Sequence, residues 1–203
     1  MLIAHISDTH GSKCEIPDAD ILIHTGDIIP GRGYLQDLHK FEAWMKELPH
    51  KYKIFVPGNH DGIVGLFRNE IKDILSSVHV LIDELIVIEG VSIWGTPWSL
   101  PFGNWYFMKN EWQLQELYSK IPEGTHIIAS HGPPHGTCDL VDGMNVGSLA
   151  LRETILRVYP KAVLCGHIHE GYGKDYVHGV PVYNSSHLNE VYVPLNNAQL
   201  IEI

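Results

Sequence analysis

Five short polar clusters, each at the end of an apolar run, carry the residue types that could do chemistry in this chain. They are Asp8-Thr9-His10, Gly26-Asp27, Gly58-Asn59-His60-Asp61, Ser130-His131-Gly132 and Gly166-His167-Ile168-His169. Asp, Asn and His side chains are hard or borderline ligands for divalent cations. Ligands two residues apart, such as Asp8 and His10, can project to the same side of an extended chain and hold one ion. One cluster alone could be an ordinary turn, but the five together predict a two-metal hydrolytic centre.

Short apolar runs rich in β-branched residues lead into these clusters. They lie at 2–6, 21–24, 53–56, 126–129 and 162–165. Nearly continuous runs of this kind are typical of strands covered on both faces. Apolar residues at helical spacing alternate with them and predict helices over 35–48, 66–75, 111–120 and 148–159. Ser148 is the expected N-cap of the last helix, and Pro160 is expected to stop it.

Two further stretches interrupt the alternation of strand and helix. Residues 78–95 carry two apolar runs on either side of Gly90, and 176–203 contains short runs around Gly179 and Asn184. Both stretches are typical of hairpins. Strand-helix repeats combined with hairpins predict an α/β fold, a four-layer α/β/β/α sandwich of two mixed sheets flanked by helices. No linker or internal repeat divides the chain, so we expect a single domain over 1–203.

Charge and composition narrow the class of partner. The formal net charge of the 203 residues is −10, with only 14 Lys and Arg, which argues against polymeric nucleic acid and against an anionic membrane surface. The first residues lack a basic leader, no apolar run reaches membrane-spanning length, and the three cysteines form no C-x-x-C pair. We therefore expect a cytoplasmic protein in a reducing compartment. Cys165 is expected to be buried, whereas Cys14 and Cys138 lie in predicted loops where a thiol would be more reactive.

The five ordered clusters resemble the motifs of the calcineurin-like metallophosphoesterases, over residues 8 to 169. The resemblance implies one metal held by Asp8, His10 and His169, and a second held by Asn59, His131 and His167. It also implies that Asp27 bridges the two ions. The stretches 131–134 and 166–173 are most similar to a small branch of that family associated with cyclic-nucleotide phosphodiesters.

The implied donor set contains imidazoles, carboxylates and an amide but no thiolate, which suits Mn²⁺ first, with Fe, Zn²⁺ or Ni²⁺ as alternatives. Two such ions can share a hydroxide and stabilise an in-line attack on phosphorus. His60 follows a ligand directly, so we expect it to protonate the leaving group as the general acid, with Asp61 orienting it. The predicted function is hydrolysis of small phosphodiesters, nucleotides or cyclic nucleotides first.

Substrate contacts are less constrained by the sequence. The aromatic loop 94–112 could wall a pocket, and Trp98 is its candidate stacking residue, although most of its rings are expected to pack in the core. His135 lies just beyond the His131 cluster and could reach a substrate phosphate. Two other functions stay open: phosphomonoesterase activity at the same site, and a catalytically weak regulatory module that binds metal and nucleotide. The sequence does not fix the oligomeric state.

Overall fold

The computed structural model describes the backbone of residues 1–203 and every side chain except those of Arg68 and Asn69. Its strands are Leu2–Ile6 (β1), Ile21–His24 (β2), Tyr52–Phe55 (β3), His79–Val80 (β4), Glu84–Ile88 (β5), Val91–Thr96 (β6), Ile127–Ser130 (β7), Leu140–Val141 (β8), Met144–Asn145 (β9), Ala162–Cys165 (β10), Gly173–Val177 (β11), Val180–Asn184 (β12) and Gln199–Glu202 (β13). Its α-helices are Leu35–Glu47 (α1), Gly62–Leu66 (α2), Arg68–Ile74 (α3), Glu111–Tyr118 (α4) and Leu149–Val158 (α5). A short 3₁₀ turn covers His169–Gly171.

Two mixed sheets organise the chain. The first has the order β13-β1-β2-β3-β4, with β13 antiparallel to β1 and the other pairs parallel. The second has the order β11-β12-β10-β7-β6-β5, with β11 and β5 as its antiparallel edges. The strands β8 and β9 form a separate two-stranded hairpin. All five predicted site clusters follow the carboxyl ends of parallel strands, where side chains from distant sequence can meet.

Three apolar clusters separate four layers. The inner cluster lies between the sheets and includes Ile23 and Ile54 from the first sheet with Ile127 and Leu164 from the second. One outer cluster packs α1 against the first sheet, and the other packs α4 and α5 against the second. Because both sheets are covered on both faces, their central strands are apolar without alternation. The predicted α/β/β/α sandwich is confirmed.

The predicted helices are confirmed in three places and divided in a fourth. At α5, Ser148 Oγ accepts a hydrogen bond from the Leu151 N–H at 3.1 Å, and the helix ends at Tyr159 in a left-handed conformation. Within the span expected as one helix over 66–75, α3 covers Arg68–Ile74, whereas Leu66 ends the separate short helix α2 and Phe67 lies between the two. Phe67 is their shared boundary, with a ψ of 41° that is not helical. A helical apolar pattern therefore spans a break that the spacing alone does not reveal.

The segment 176–203 is also more complex than the predicted hairpin. The strands β11 and β12 do form an antiparallel pair around Gly179, but β13 leaves this sheet and pairs with β1 in the other one. The chain from Asn184 onward therefore crosses between the sheets at the site edge. The expected hairpin around Gly90 is confirmed as β5 and β6.

The cysteines differ in part from expectation. Cys165 is fully buried, as predicted, but Cys14 and Cys138 are partly buried. Burial raises the pKa of Cys14 to about 12 and, together with the charge of Asp175, the pKa of Cys138 to about 11. The expectation of reactive loop thiols is wrong, because these loops pack against the body of the protein. Among the described residues, no helix is both long and apolar enough to cross a bilayer.

Candidate metal centre

A first group of ligand atoms comes from the ends of β1 and β10. Asp8, His10 and His169 each offer one atom, and these atoms lie within 4.8 Å of one another. The His169 Nε2 and Asp8 Oδ1 atoms are 3.6 Å apart. Among the described residues, neither Asp8 Oδ1 nor His10 Nε2 has a hydrogen-bond partner, although both are buried. Buried polar atoms are seldom left unpaired, so this pair of atoms is arranged for a ligand such as a cation.

A second group combines Asp27, which follows β2, with His131 and His167, again within 4.8 Å. The His131 Nε2 atom lies 3.5 Å from Asp27 Oδ2 and 2.9 Å from Asn59 Oδ1. Asp27 also belongs to a third group with His10 and His60. One carboxylate therefore joins the two halves of the centre.

Backbone carbonyls orient the imidazoles. The Nδ1 atoms of three ligand candidates donate to carbonyl oxygens: His10 to Ile29 at 3.2 Å, His131 to Thr25 at 2.8 Å, and His169 to Asn189 at 2.8 Å. A carbonyl only accepts, so Nδ1 carries the proton and Nε2 is directed to the centre of the site. This arrangement is typical of histidines that bind metal through Nε2.

The loops that carry these ligands adopt an uncommon backbone conformation. Asp8, His10, Asp27 and His167 have φ values of 52°, 42°, 57° and 69°, in the left-handed region. Residues other than glycine occupy this region rarely, and such strain clusters at functional sites. A Cβ atom at Gly58 would overlap Asp27 Oδ1, so close packing requires glycine there.

The charges in the centre compensate one another. Burial acts to raise the pKa of Asp27, but the neighbouring imidazoles, above all that of His131, outweigh it and hold this pKa well below its ordinary value. Burial lowers the pKa of His131, and the carboxylates of Asp27 and Asp8 more than reverse this, to about 9. His167 is buried beside His131, which lowers its pKa to about 3. The metal-free centre thus holds ionised carboxylates and a neutral His167, while the imidazole of His131 must lose its proton before it can bind a cation.

A cavity of about 570 Å³ opens over these ligands. Its floor includes Asp27, Asn59, His60, His167 and His169. The described residues of the surrounding wall are Leu100, Pro101, Phe102, Trp105, Val141, Val146, Ile168, Glu170, Glu190 and Tyr192. The wall is therefore mostly apolar and aromatic, and it also bears the two carboxylates of Glu170 and Glu190.

The sequence profile described as calcineurin-like phosphoesterase matches residues 1–171. The chain belongs to the calcineurin-like phosphoesterase family. Metallophosphoesterase domain-containing protein 1 of Homo sapiens is 32% identical over 228 aligned positions, which cover 98% of this chain and 69% of the relative.

Solved structures share the fold of this calcineurin-like phosphoesterase. One superposes with a TM-score of 0.73 at 16% identity, covering 99% of this chain and 98% of its own. The crystal structure of TT1561 from Thermus thermophilus gives a TM-score of 0.61 at 17% identity, covering 92% of this chain and 90% of that one.

His60 of this family member lies beside the ligand groups and lines the cavity. Its Nε2 atom is 3.9 Å from Asp27 Oδ2, and its Nδ1 donates to the Gly31 carbonyl at 2.7 Å. The ring stacks on Trp105 with 4.1 Å between centroids. These contacts leave Nε2 as the only ring nitrogen that can serve a substrate.

Asp61 does not orient His60, contrary to expectation. Its carboxylate accepts from the backbone N–H groups of Asp27 at 2.7 Å, Gly58 at 2.8 Å, Ile28 at 3.1 Å and Ile29 at 3.2 Å. Burial and the nearby charge of Asp27 raise the pKa of Asp61, and these donors oppose the rise. Asp61 therefore fixes the loop that presents Asp27, and the carbonyl of Gly31 takes the orienting role.

The two residues expected to contact the substrate, Trp98 and His135, lie elsewhere in the structure. Neither Trp98 nor His135 is among the described residues that line the cavity. The indole N–H of Trp98 donates to Asp83 at 2.8 Å, and its ring packs against Phe107, which makes it a structural residue. The aromatic loop does wall the cavity, as expected, but through Phe102 and Trp105.

Tyr192 is a cavity residue that the sequence analysis missed. Its ring centroid lies 5.1 Å from that of His10 and 5.0 Å from that of His169. Its φ of 61° places it in the left-handed region. The residue stands between Val191 and Val193, outside the five polar clusters, so its type and spacing carry no signal of the site.

Proposed function

We propose that this protein is a dinuclear metal-dependent phosphodiesterase that hydrolyses small phosphodiesters, with nucleotides or cyclic nucleotides as the first candidates. The observation that carries the proposal is that Asp27 belongs to two groups of possible ligands, one with His10 and His60 and the other with His131 and His167. A carboxylate between two groups of imidazoles is the arrangement that a bridged pair of divalent ions requires.

The residues present fit such a pair of ions. The unpartnered buried atoms Asp8 Oδ1 and His10 Nε2 face one position, where His169 would complete the donor set. Asn59, His131 and His167 would hold the other ion, with Asp27 common to both. When bound, the ions supply positive charge for the phosphoryl oxygens and lower the pKa of water. Oxygen and nitrogen donors without thiolate favour Mn²⁺, and Fe, Zn²⁺ or Ni²⁺ are alternatives.

His60 is the proposed general acid. Its Nδ1 is occupied by the Gly31 carbonyl, so a proton on Nε2 is available to the departing alkoxide of a substrate in the cavity. The stacked indole of Trp105 restrains rotation of the ring. In this proposal Asp61 acts on the position of Asp27 and not on the proton transfer.

The cavity favours a substrate with a single diester phosphate. Its volume of about 570 Å³ suits a nucleotide-sized molecule. None of its described lining residues is Lys or Arg, and the exposed carboxylates of Glu170 and Glu190 stand on its rim. A diester carries one negative charge and a monoester close to two, so the acidic rim repels a monoester more strongly. The wall of Leu100 and Phe102 offers apolar contact to a nucleobase or another apolar group of the substrate.

The proposal is tested with metal-stripped protein reloaded separately with Mn²⁺, Zn²⁺, Ni²⁺ and Mg²⁺. The substrates are bis-p-nitrophenyl phosphate, p-nitrophenyl phosphate, and 2′,3′- and 3′,5′-cyclic nucleotides. We expect hydrolysis by reloaded protein only, loss of it in Asp27→Asn, and its retention in Asp175→Asn, an exposed carboxylate on β11. Protein that binds two ions per chain and hydrolyses none of these esters would be the regulatory binding module instead. Faster turnover of p-nitrophenyl phosphate than of the diester would make it a phosphomonoesterase.

A further inference from the structure

A sixth polar cluster, Asn184-Ser185-Ser186, follows β12 at the site edge and lies beyond the 1–171 segment that matches the family profile. All three residues are completely buried. The strand β12 runs parallel to β10, and Asn184 is in register with Cys165, so this cluster ends beside the loop that carries His167. Buried polar residues at this position need a structural or functional explanation.

Asn184 clamps the loop of the two histidines that follow β10. Its side-chain Nδ2 donates to the Gly166 carbonyl at 3.2 Å and to the Ile168 carbonyl at 2.8 Å. These carbonyls flank His167 on both sides. The Oδ1 atom of Asn184 accepts from the Ser186 N–H at 2.9 Å, so the amide is satisfied at both ends. The loop conformation that presents His167 is thus held by a side chain from another strand.

Ser186 contacts the carboxylate of Asp8 directly. Its hydroxyl lies 2.8 Å from Asp8 Oδ2 and also 2.8 Å from Asn184 Oδ1. A hydroxyl has one proton, and a charged carboxylate is the stronger acceptor, particularly since Asn184 Oδ1 already receives the Ser186 N–H. The hydroxyl of Ser186 therefore donates to Asp8.

The two oxygens of Asp8 have different surroundings as a result. Oδ2 accepts from Ser186 Oγ and from the His167 N–H at 2.9 Å, whereas Oδ1 has no partner among the described residues. One oxygen is anchored to the protein, and the other is left facing His169. Such outer contacts orient metal ligands and strengthen the binding of the ion.

The cluster also joins the two sheets at the site. The Ser7 N–H donates to the Ser185 carbonyl at 2.9 Å, and the His187 N–H donates to the Ser7 carbonyl at 2.8 Å. Ser7 is the residue between β1 and Asp8. The segment 184–187 thus extends the end of β1 while Asn184 holds the loop after β10, which sets the distance between the ligands from the two sheets.

We propose that Ser186 and Asn184 are positioning residues that assemble the two ligand groups before the ions bind, Ser186 through Asp8 and Asn184 through the loop of His167, an inference that rests on the proposed function in assuming these ions. In this proposal Ser186 holds Asp8 so that its Oδ1 atom faces the ion, and Asn184 holds the loop that carries His167. Neither residue contacts the reacting phosphate in this proposal.

The test compares Ser186→Ala with Ser185→Ala. Ser185 is equally buried, and its hydroxyl contacts His5 Nδ1 at 2.7 Å rather than Asp8, which makes it a matched control. Mn²⁺ binding is measured by calorimetry and chelator competition, metal content by elemental analysis, and stability by thermal unfolding of the metal-free proteins. We expect Ser186→Ala to bind one of the two ions about 10- to 100-fold more weakly, with a metal-free Tm close to that of the control. Ser186→Thr, which keeps the hydroxyl, should restore the affinity.

Two results would overturn the positioning role. One is wild-type affinity for both ions in Ser186→Ala, and the other is an equal loss of affinity in Ser186→Ala and Ser185→Ala. Wild-type protein that binds both ions and hydrolyses no ester would overturn the proposed function alone, because the ion affinities of the variants would still measure the role of Ser186. Wild-type protein that binds no ion would overturn both.

Discussion

Replacement of His60 by asparagine removes the proposed proton donor from the cavity. The imidazole is only 6% exposed and is fixed between the Gly31 carbonyl and the Trp105 ring. No metal ligand of the proposed set donates a hydrogen bond to its side chain, so the ions should still bind to His60→Asn. The variant therefore separates proton transfer from metal binding.

The magnitude of the effect depends on the leaving group. A positioned general acid contributes about 10²- to 10⁴-fold, which corresponds to about 2.7 to 5.4 kcal/mol of the barrier. An alkoxide such as a ribose oxygen needs the proton as the bond to phosphorus breaks, whereas p-nitrophenolate leaves readily without it. We expect His60→Asn to lose about 10²-fold or more in kcat for alkyl leaving groups and less than about tenfold for p-nitrophenyl esters.

The assay is a series of phosphodiesters whose leaving groups differ in pKa, with kcat and kcat/KM measured for Mn²⁺-loaded wild type and variant. His39→Asn, at an exposed position of α1, is the control for a histidine outside the site. Metal content is determined on the same samples. An equal loss for every leaving group, or a loss that follows reduced metal content, would refute the role of His60 as an acid.

Three further changes test other parts of the centre. In the metal-free protein, burial lowers the pKa of His131, but the charge of Asp27 outweighs burial and raises this pKa to about 9. An ion binds only the neutral form of this imidazole. The affinity for Mn²⁺ should therefore rise with pH from 6.5 to about 9 with release of a proton in calorimetry, while the Tm of the metal-free protein falls over this window; an affinity independent of pH would contradict this. Gly58→Ala should lose bound metal and about 1–3 kcal/mol of stability, since its Cβ would lie 2.6 Å from the Asp27 backbone nitrogen. Gly124→Ala has no atom within 4 Å but a φ of 79°, so it should lose stability through backbone strain and still keep its metal in elemental analysis. Asp61→Asn should lower Tm and metal content together, because the amide replaces one acceptor oxygen by an NH2 group and leaves some of the four backbone N–H donors unpaired, at a cost of about 1–3 kcal/mol. Unchanged metal content with the leaving-group dependence of a missing acid would instead return Asp61 to proton transfer.

The location of the five clusters at one sheet edge can be predicted from the sequence, because it depends on a local rule. An apolar strand must end where its chain leaves the core, and a polar residue there lies at the sheet edge. Asp8 and His131 are 123 positions apart by their numbers, yet both follow parallel strands and so reach one edge. The layered fold follows from the same runs, since strands without alternation need cover on both faces.

The break between α2 and α3 and the path of β13 depend on contacts that no local pattern encodes. The apolar spacing of 66–75 continues across Phe67, so the non-helical conformation there is not visible in the sequence. The residue types of β13 do not indicate which of the two sheets the strand joins. In the structure it pairs antiparallel with β1 in the first sheet. Hairpin prediction fails here because it assumes that neighbouring strands pair.

The contacts of Asp61 and Trp98 differ from those expected for a related reason. Adjacency in sequence suggests that Asp61 orients His60. In the structure, the Asp61 carboxylate instead accepts hydrogen bonds from four backbone N–H groups, and His60 donates to the Gly31 carbonyl. Trp98 lies in the same loop as Phe102, but its indole N–H donates a hydrogen bond to Asp83. Side-chain type indicates what a residue can do, and the partner it meets decides which of these roles it has.

The orientation of the ligands is the part of the site least accessible from sequence. His10, His131 and His169 are aimed by the carbonyls of Ile29, Thr25 and Asn189, and every residue type has a carbonyl. Because the backbone makes these contacts, the residue types at the three positions do not indicate them. Asn184 and Ser186 are different, because their own side-chain atoms make the contacts, and a polar pair in a fully buried position after a strand is a pattern that sequence can show. A search for polar residues after every parallel strand, including those without ligand-type side chains, would therefore recover the residues that aim a metal centre as well as those that bind it.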